Sequence, residues 1–191
     1  MEKTKKGFTI HDIVAIALLA AVVYVVTNFR ITIPTPIGKV MLHFGNVFCL
    51  ISAFLLGGKR GGLAAGLGSM FFDLFSDWVT SAPFTLVFKF TMAFICGKIA
   101  YGGGAQAKNR KRNIIGALCG ASAYTVLFVS KNIISGLFFL RNPWQTVLLD
   151  AWYKGPISLV NAVIAVTASV LLAPLFRKAL ESSGIYEKLS Q

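Results

Sequence analysis

The feature that most constrains this chain is a series of apolar runs too long for the core of a small soluble domain. The first run, Ile13–Phe29, contains no charged side chain. A helix needs about 20 apolar residues to cross a bilayer, and comparable runs recur along most of the 191 residues. Charged residues make up only 14% of the chain, against about 25% in soluble domains. The sequence therefore predicts an all-α integral membrane protein, with residues 1–191 forming a single membrane domain.

Six membrane spans are predicted, at residues 12–29, 41–58, 61–76, 83–101, 113–140 and 155–176. The second and third come from one apolar stretch, Phe44–Phe75, which GGKRGG interrupts at residues 57–62. Each half is short for a span, so a re-entrant hairpin is the alternative to two crossings. Lys59 and Arg60 at the interruption favour two crossings, because such charges suit the cytoplasmic headgroup region.

Lysine and arginine cluster between the apolar runs. The net charge is +12, but the pattern has neither the recognition helix nor the stacking platform of a nucleic-acid-binding protein, so no nucleic-acid partner is expected. Basic clusters of this kind mark cytoplasmic loops. We therefore assign residues 1–12, 57–62, 102–113 and the tail from 177 to the cytoplasm, which places both termini inside.

Motifs for catalysis, metals and nucleotides are missing from the sequence. Cys49, Cys96 and Cys119 lie within apolar runs at spacings that suit neither a zinc site nor a disulfide framework. The GGKRGG segment lacks the Walker spacing, and GLGS at 66–69 lacks the third glycine of a dinucleotide-binding loop. We expect no enzyme activity, no cofactor and no metal. At 20.6 kDa the chain is small for an autonomous carrier, so we expect it to capture a solute and to take energy from a partner.

Polar side chains from several predicted spans fall at one depth, toward the outer face. An ionisable group inside a span is costly and usually faces an aqueous cavity or a partner. Together with nearby aromatic residues, these side chains predict a binding site for a small molecule. Snorkelling of Lys89 to the headgroups and pairing of the asparagines between helices are the alternatives. The candidate residues are His43, Asn46, Trp78, Phe84, Thr85, Lys89, Lys131, Asn132, Ser158 and Asn161.

The first outer loop, residues 30–43, has little helical character. It contains Pro34, Pro36 and Gly38 among β-branched residues, so we expect a semi-rigid extended segment that caps a cavity opening outward. Asp73 is a further ionisable residue of the spans, and its alternative is solvation at the outer end of the third span. If Lys89, Lys131 and His43 all face one pocket and Asp73 lies outside it, an anionic or strongly hydrogen-bonding ligand is favoured.

Small residues at helical spacing provide packing faces in the predicted bundle. Close packing of helices in lipid depends on such residues. The glycines and alanines of the third and fifth spans fit packing within the bundle. Ala17 and Ala21 form an AxxxA pair in the first span, and they are candidates for docking another membrane subunit.

A resemblance to a known family rests on two stretches of the chain. Residues 43–98, HFGNVFCLISAFLLGGKRGGLAAGLGSMFFDLFSDWVTSAPFTLVFKFTMAFICGK, resemble the substrate-binding S component of energy-coupling factor (ECF) vitamin transporters. Residues 154–166, KGPISLVNAVIAV, are similar to the sixth-helix pattern of that family. The resemblance implies six helices in a prokaryotic plasma membrane, cytoplasmic termini and a vitamin bound near the outer face.

The resemblance also implies roles for particular segments. Residues 30–43 would gate the site, Ala17 and Ala21 would contact the membrane-embedded T component, and two ATPase subunits would supply the energy. The vitamin stays open: pantothenate, pyridoxine and hydroxymethylpyrimidine are favoured by the positive candidate residues, and riboflavin is a further candidate. A stand-alone small-solute permease and a membrane assembly subunit that transports nothing are the alternative functions.

Overall fold

The computed structural model describes residues 7–182, which form five long helices and a β-hairpin. Each of the five helices is long and apolar enough to cross a membrane, which confirms the predicted all-α membrane class. Parts of the predicted cytoplasmic segments, at 1–6 and 183–191, lie outside the described residues. The elements are α1 (Ile10–Thr27), β1 (Arg30–Thr35), β2 (Gly38–His43), α2 (Gly45–Leu74), α3 (Ala82–Ala100), α4 (Arg110–Ile134), continued by a π-helical turn at Ser135–Phe139, and α5 (Trp144–Ser182).

The stretch predicted as the second and third spans is assigned as one helix, α2, which reverses direction at Gly57. This residue has φ +77° and ψ −176°, a backbone conformation almost restricted to glycine. Cys49 Sγ and Ser69 Oγ lie 3.6 Å apart, although a straight helix would separate residues so distant in sequence by about 30 Å. The Ser52 hydroxyl also donates to the Gly61 carbonyl across the turn. The two halves of α2 therefore pack antiparallel, and the six predicted spans correspond to five helices.

Most of α2 is buried, because α1, α3 and α5 pack around it. Arg60, just after the turn, forms an ion pair with Asp12 at 3.1 Å, and the Asp12 side chain is fully buried. Further along the contact with α1, a Cβ on Gly68 would meet the Ala20 carbonyl oxygen at 2.3 Å. The helices therefore approach as closely as the small residues of α2 allow.

The segment predicted as the first outer loop is a β-hairpin rather than a single extended segment. Arg30 pairs with His43 and Thr35 with Gly38, and two residues connect the strands. The prediction that residues 41–43 begin the second span is wrong, because the β-branched residues of β1 provide a partner strand. Helix α2 begins at Gly45 instead.

The predicted sixth span, residues 155–176, is too short. Helix α5 begins at Trp144 and continues through Pro156 and Pro174. Its 39 residues measure about 58 Å at the usual rise, so it extends beyond a hydrocarbon core of about 30 Å. The additional turns, residues 144–154, lie beside the β-hairpin and contact it.

Replacing Gly57 with alanine tests the turn in α2. A Cβ at this position would make only ordinary contacts, at 3.8 Å from the Tyr101 ring, so the cost comes from the backbone alone. We expect the free energy of unfolding to fall by about 1–3 kcal/mol, measured by thermal unfolding of the purified protein. The matched control is Gly155→Ala in α5, where a Cβ meets nothing within 4 Å. That change should leave stability unaltered or raise it by up to about 1 kcal/mol, and equal effects of the two changes would contradict the account of the turn.

Candidate functional site

A cavity lies beneath the β-hairpin, between the ends of α2, α3, α4 and α5. It consists of an inner chamber of about 70 Å³ and an outer vestibule of about 700 Å³. The two parts adjoin, because several residues of α3, α4 and the segment before α3 line both. These junction residues are Trp78, Ser81, Phe84, Phe88, Lys131 and Asn132.

Helical periodicity brings the lining side chains together. On α4, Tyr124, Phe128, Lys131 and Asn132 recur at the three- and four-residue spacing of one helix face. The same spacing relates the lining residues of α3. Sequence reasoning missed Tyr124 and Phe128, although their spacing from Lys131 was a signal for them. Phe84, Thr85 and Lys89 line the chamber from α3.

Lys89 does not snorkel to the headgroups. Only 3% of the residue is exposed, and its amine donates a hydrogen bond to Asn46 Oδ1. The amine also lies 3.6 Å from the centroid of the Tyr124 ring, a cation–π contact that partly replaces its hydration. Asn46 is not among the residues that line the chamber and lies behind Lys89.

Asp73 lies in the chamber wall, so it is neither solvated nor outside the pocket. It is 3% exposed and accepts a hydrogen bond from the Thr85 hydroxyl. Asp73 belongs to the buried part of α2, whose neighbours enclose it. Lys131 donates to Ser81 Oγ at 3.0 Å and lies 5.5 Å from the centroid of the Phe84 ring. In their ordinary ionisation states, the lining lysines Lys89 and Lys131 exceed the Asp73 carboxylate by one charge.

Two neutral donors belong to the same cavity. The Gly45 amide donates to His43 Nδ1 at 3.1 Å, so Nε2 carries the hydrogen of the neutral ring. Burial, with Lys89 and Arg30 as smaller causes, lowers the pKa of His43 to about 3, so the ring is neutral at physiological pH. Trp78 lines both parts, and its indole Nε1 is buried without a hydrogen-bond partner in the described part of the chain.

Asn161 fastens the inner end of the hairpin to α5. Its Nδ2 donates to the Met41 carbonyl at 2.8 Å, and its Oδ1 accepts the His43 amide hydrogen at 3.0 Å. Asn161 lines the chamber while both of its polar atoms hold β2. Ser158, one turn earlier on α5, lines the chamber too and contacts the Thr125 hydroxyl at 3.3 Å.

The tip of the hairpin is held by an ion pair on α5, which we call the hairpin latch (Asp150 and Lys154). Asp150 Oδ1 accepts the Ile37 amide hydrogen at 3.0 Å, and Lys154 Nζ donates to the Ile37 carbonyl at 3.1 Å. The two side chains pair at 2.8 Å and are 4% and 5% exposed, respectively. Lys154 also donates to Asn132 Oδ1 at 3.1 Å, so the latch contacts a residue that lines the cavity. Sequence reasoning missed the latch because it placed residues 144–154 in a loop.

The predicted gating and docking residues occupy distinct surfaces. Gly38 lines the vestibule, whereas Pro34 and Pro36 are exposed on the hairpin. Ala17 and Ala21 are exposed on α1, whereas Ala20 is buried against α2. Among residues 7–182, no group of three or more His, Cys, Asp or Glu side chains is placed to hold a metal ion.

The fold and the site define a class: a helical membrane protein with a cavity that a hairpin covers. The profile of the ECF-type riboflavin transporter S component family matches residues 7–180, and the chain belongs to this family. Its members are transport subunits that capture vitamins for ECF transporters, and not enzymes. A Pyrococcus woesei protein described as "Uncharacterized protein in gap 3'region" is 33% identical over 107 residues, which cover 55% of this chain and 68% of that protein.

The latch provides a test of how the hairpin is held. Asp150→Asn removes the counter-ion of Lys154 in a buried site, where breaking an ion pair is strongly destabilising. We expect amide hydrogen exchange at Ile37 and Gly38 to accelerate at least about tenfold, because an opening free energy lower by 1.4 kcal/mol already has this effect. Exchange is measured by mass spectrometry of the purified protein.

A second ion pair on the same hairpin is the matched control for this test. Lys39 of β2 pairs with Asp77 at 2.9 Å, but the Asp77 side chain is 77% exposed. Exposed pairs contribute about 0–1 kcal/mol, so Asp77→Asn should change exchange little. Equal acceleration by the two changes would show that the hairpin is not held by the latch.

Proposed function

We propose that the protein captures one small water-soluble vitamin in the cavity beneath the hairpin, on the outer side of the membrane. The observation that carries the proposal is the excess of hydrogen-bond donors at the junction of chamber and vestibule. There, Lys131 has a neutral serine as its hydrogen-bond acceptor, and Trp78 Nε1 has no protein acceptor in the described part of the chain. A buried donor is costly unless it is paired, so a ligand with acceptor groups completes this site.

The balance of charges among the residues that line the cavity indicates which chemical groups that ligand carries. The other lysines of the vestibule are paired with carboxylates: Lys39 with Asp77 and Lys154 with Asp150. The unbalanced positive charge therefore belongs to the chamber, where Lys89 and Lys131 exceed Asp73. A carboxylate, a phenolate or the carbonyls of an acidic ring edge are the acceptors that suit such a site.

The size and the walls of the cavity favour a heteroaromatic ring. A vestibule of about 700 Å³ lies within the range of about 300–1,000 Å³ that small-molecule sites occupy, and Phe84, Phe88 and Trp78 supply aromatic surface. The chamber, at about 70 Å³, holds only about two water volumes. We therefore infer that the ring lies in the vestibule and that its acceptor-rich edge reaches Lys131 and the chamber.

Four vitamins are compatible with this arrangement to different degrees. Riboflavin is named in the description of the family, and its large ring with carbonyl acceptors uses the whole vestibule. Pyridoxine and hydroxymethylpyrimidine offer one smaller ring, and pantothenate offers the carboxylate without a ring. We therefore propose riboflavin as the first candidate for the ligand, and the other three vitamins after it.

Calorimetric titration of the purified protein with these four vitamins tests the proposal. One of them should bind with one-to-one stoichiometry, and Lys131→Gln should weaken that binding about 10- to 100-fold, as expected for the loss of a hydrogen bond to a charged group. The control Arg141→Gln removes an exposed charge that does not line the cavity, and it should leave the affinity unchanged. If no vitamin binds to the folded protein, or if the affinity of Lys131→Gln equals that of the unchanged protein, the proposed site is wrong.

The orientation that we propose follows from the two ends of the bundle. The ends of α1 and α5 that lie away from the hairpin are the N- and C-terminal ones, respectively. The same end of the bundle carries Lys59 and Arg60 at the turn of α2 and the basic start of α4. Basic residues concentrate on the cytoplasmic side, which supports cytoplasmic termini and an outward-facing hairpin.

Delivery of the vitamin to the cytoplasm requires partners in this proposal, namely an ECF T component and two ATPase subunits. The exposed Ala17 and Ala21 of α1 support a docking face for the T component. Small side chains let two membrane helices approach closely, and both residues of this pair are exposed. The chain itself contains no nucleotide-binding motif, so the ATPase subunits would bind and hydrolyse ATP.

Tryptophan substitutions on α1 separate docking from capture. Ala17→Trp or Ala21→Trp should leave vitamin affinity unchanged but lower uptake at least about tenfold in cells that contain the ECF partners, because a bulky side chain separates the helix surfaces by more than packing tolerates. Uptake of radiolabelled vitamin is the measurement. Val163→Trp, at a 66% exposed position of α5, is the control and should retain uptake. Full uptake by the α1 variants would exclude the docking face, and uptake in cells without ATPase subunits would favour a stand-alone permease.

A further inference from the structure

A second cavity lies at the end of the bundle opposite the hairpin. This groove, of about 430 Å³, is lined by the start of α4 and the last turns of α5. The apolar wall on α5 consists of Val170, Leu171, Ala173 and Pro174, and the basic rim consists of Lys108, Arg110, Arg177 and Lys178. One acidic residue, Glu181, also lines the groove. The groove is therefore amphipathic, with an excess of positive charge.

Asn113 provides an independent sign that the groove accommodates a ligand. The residue lines the groove and is only 9% exposed. Its Nδ2 donates to the Ala107 carbonyl at 2.7 Å, which assigns the other amide atom as the oxygen. That Oδ1 is buried without a hydrogen-bond partner in the part of the chain that the structure describes. A buried acceptor normally has a donor, so a group that donates a hydrogen bond fits at this point.

The cationic rim is anchored to the protein and is not formed only by mobile surface chains. Arg177 is half-buried, and its Nη2 donates to the Phe54 carbonyl at 2.9 Å. This bond fixes the guanidinium at the base of the groove, next to the apolar wall. Planar guanidinium groups favour phosphate, and the surrounding lysines add point charges.

We propose that this groove binds the headgroup of an anionic glycerophospholipid. The phosphate contacts the basic rim, a headgroup hydroxyl donates to Asn113 Oδ1, and an acyl chain follows the apolar wall of α5. A lipid fits better than a soluble phosphate because Leu171 lines the groove, and both Leu171 and Leu175 are exposed on a helix that can cross the membrane. Basic pockets between membrane helices at the cytoplasmic side are a known setting for anionic lipid headgroups.

Native mass spectrometry of the purified full chain, titrated with single lipids in detergent, tests the proposal. Phosphatidylglycerol has both the charge and the hydroxyls, phosphatidylmethanol has the charge alone, and phosphatidylcholine has neither net charge nor a headgroup hydroxyl. We expect affinity to fall in that order. Equal affinity for phosphatidylglycerol and phosphatidylcholine would overturn the proposal, and equal affinity for the two anionic lipids would overturn the assignment of Asn113.

Charge-matched variants separate a built site from general attraction. Arg110→Gln/Lys178→Gln removes two rim charges, and it should weaken phosphatidylglycerol binding about 30-fold, since each nearby cation contributes about fivefold. Lys59→Gln/Lys111→Gln removes the same charge at exposed positions that do not line this groove, and it should weaken binding less than about threefold. Equal losses of affinity in the two double variants would show that general surface charge attracts the lipid, and they would contradict a specific site in the groove. If free glycerol 3-phosphate competes at the same concentration as the lipid, the groove is a site for a soluble anion. That result would contradict the proposal that the groove binds a lipid.

Discussion

Asn161 of α5 holds the β2 backbone at Met41 and His43, and the Asp150–Lys154 latch holds both polar backbone atoms of Ile37. Backbone amide and carbonyl groups that are buried away from water require hydrogen-bond partners. The cavity therefore depends on α5, because this helix supplies partners at both ends of the hairpin that covers it. Lys154 also donates a hydrogen bond to Asn132 in the cavity wall, so the same lysine holds the hairpin and contacts a residue that lines the cavity.

The cost of burying a polar group also applies to Lys89, a lysine within an apolar span, which therefore needs partners. Lys89 is held by Asn46 and by the face of Tyr124, two neutral groups that stabilise the ammonium without cancelling its charge. Lys131 is likewise held by a hydroxyl and an aromatic ring. A purely structural lysine would be better stabilised by a carboxylate partner. The positive charge in the chamber is thus retained, and an anionic or acceptor-rich ligand is the group that would balance it.

The amino-acid sequence predicted the membrane class, because long apolar runs are a strong local signal, and most of the candidate side chains that it grouped together line one cavity. It did not predict the features that depend on tertiary contacts. Met41 and His43 looked like the start of a span until β1 supplied a partner strand, and Asp73 looked solvated because enclosure by neighbouring helices leaves no mark in a single sequence. Residues 144–154 looked like a loop, since nothing local shows that α5 continues through Pro156. Those turns carry the latch, so the error in the helix boundary concealed it.

The vitamin is proposed to bind at the junction of chamber and vestibule, and Trp78 is a probe located there. Trp144 and Trp152 are 56% and 76% exposed and are absent from the residues that line either part, so replacing both with phenylalanine leaves Trp78 as the sole tryptophan of the chain. Fluorescence of this variant is recorded during titration with the vitamin that binds by calorimetry. It tests directly whether the vitamin binds next to Trp78. The account predicts a saturable change in Trp78 emission with the calorimetric affinity and stoichiometry. Calorimetric saturation without a change at Trp78 would place the vitamin elsewhere and contradict the account.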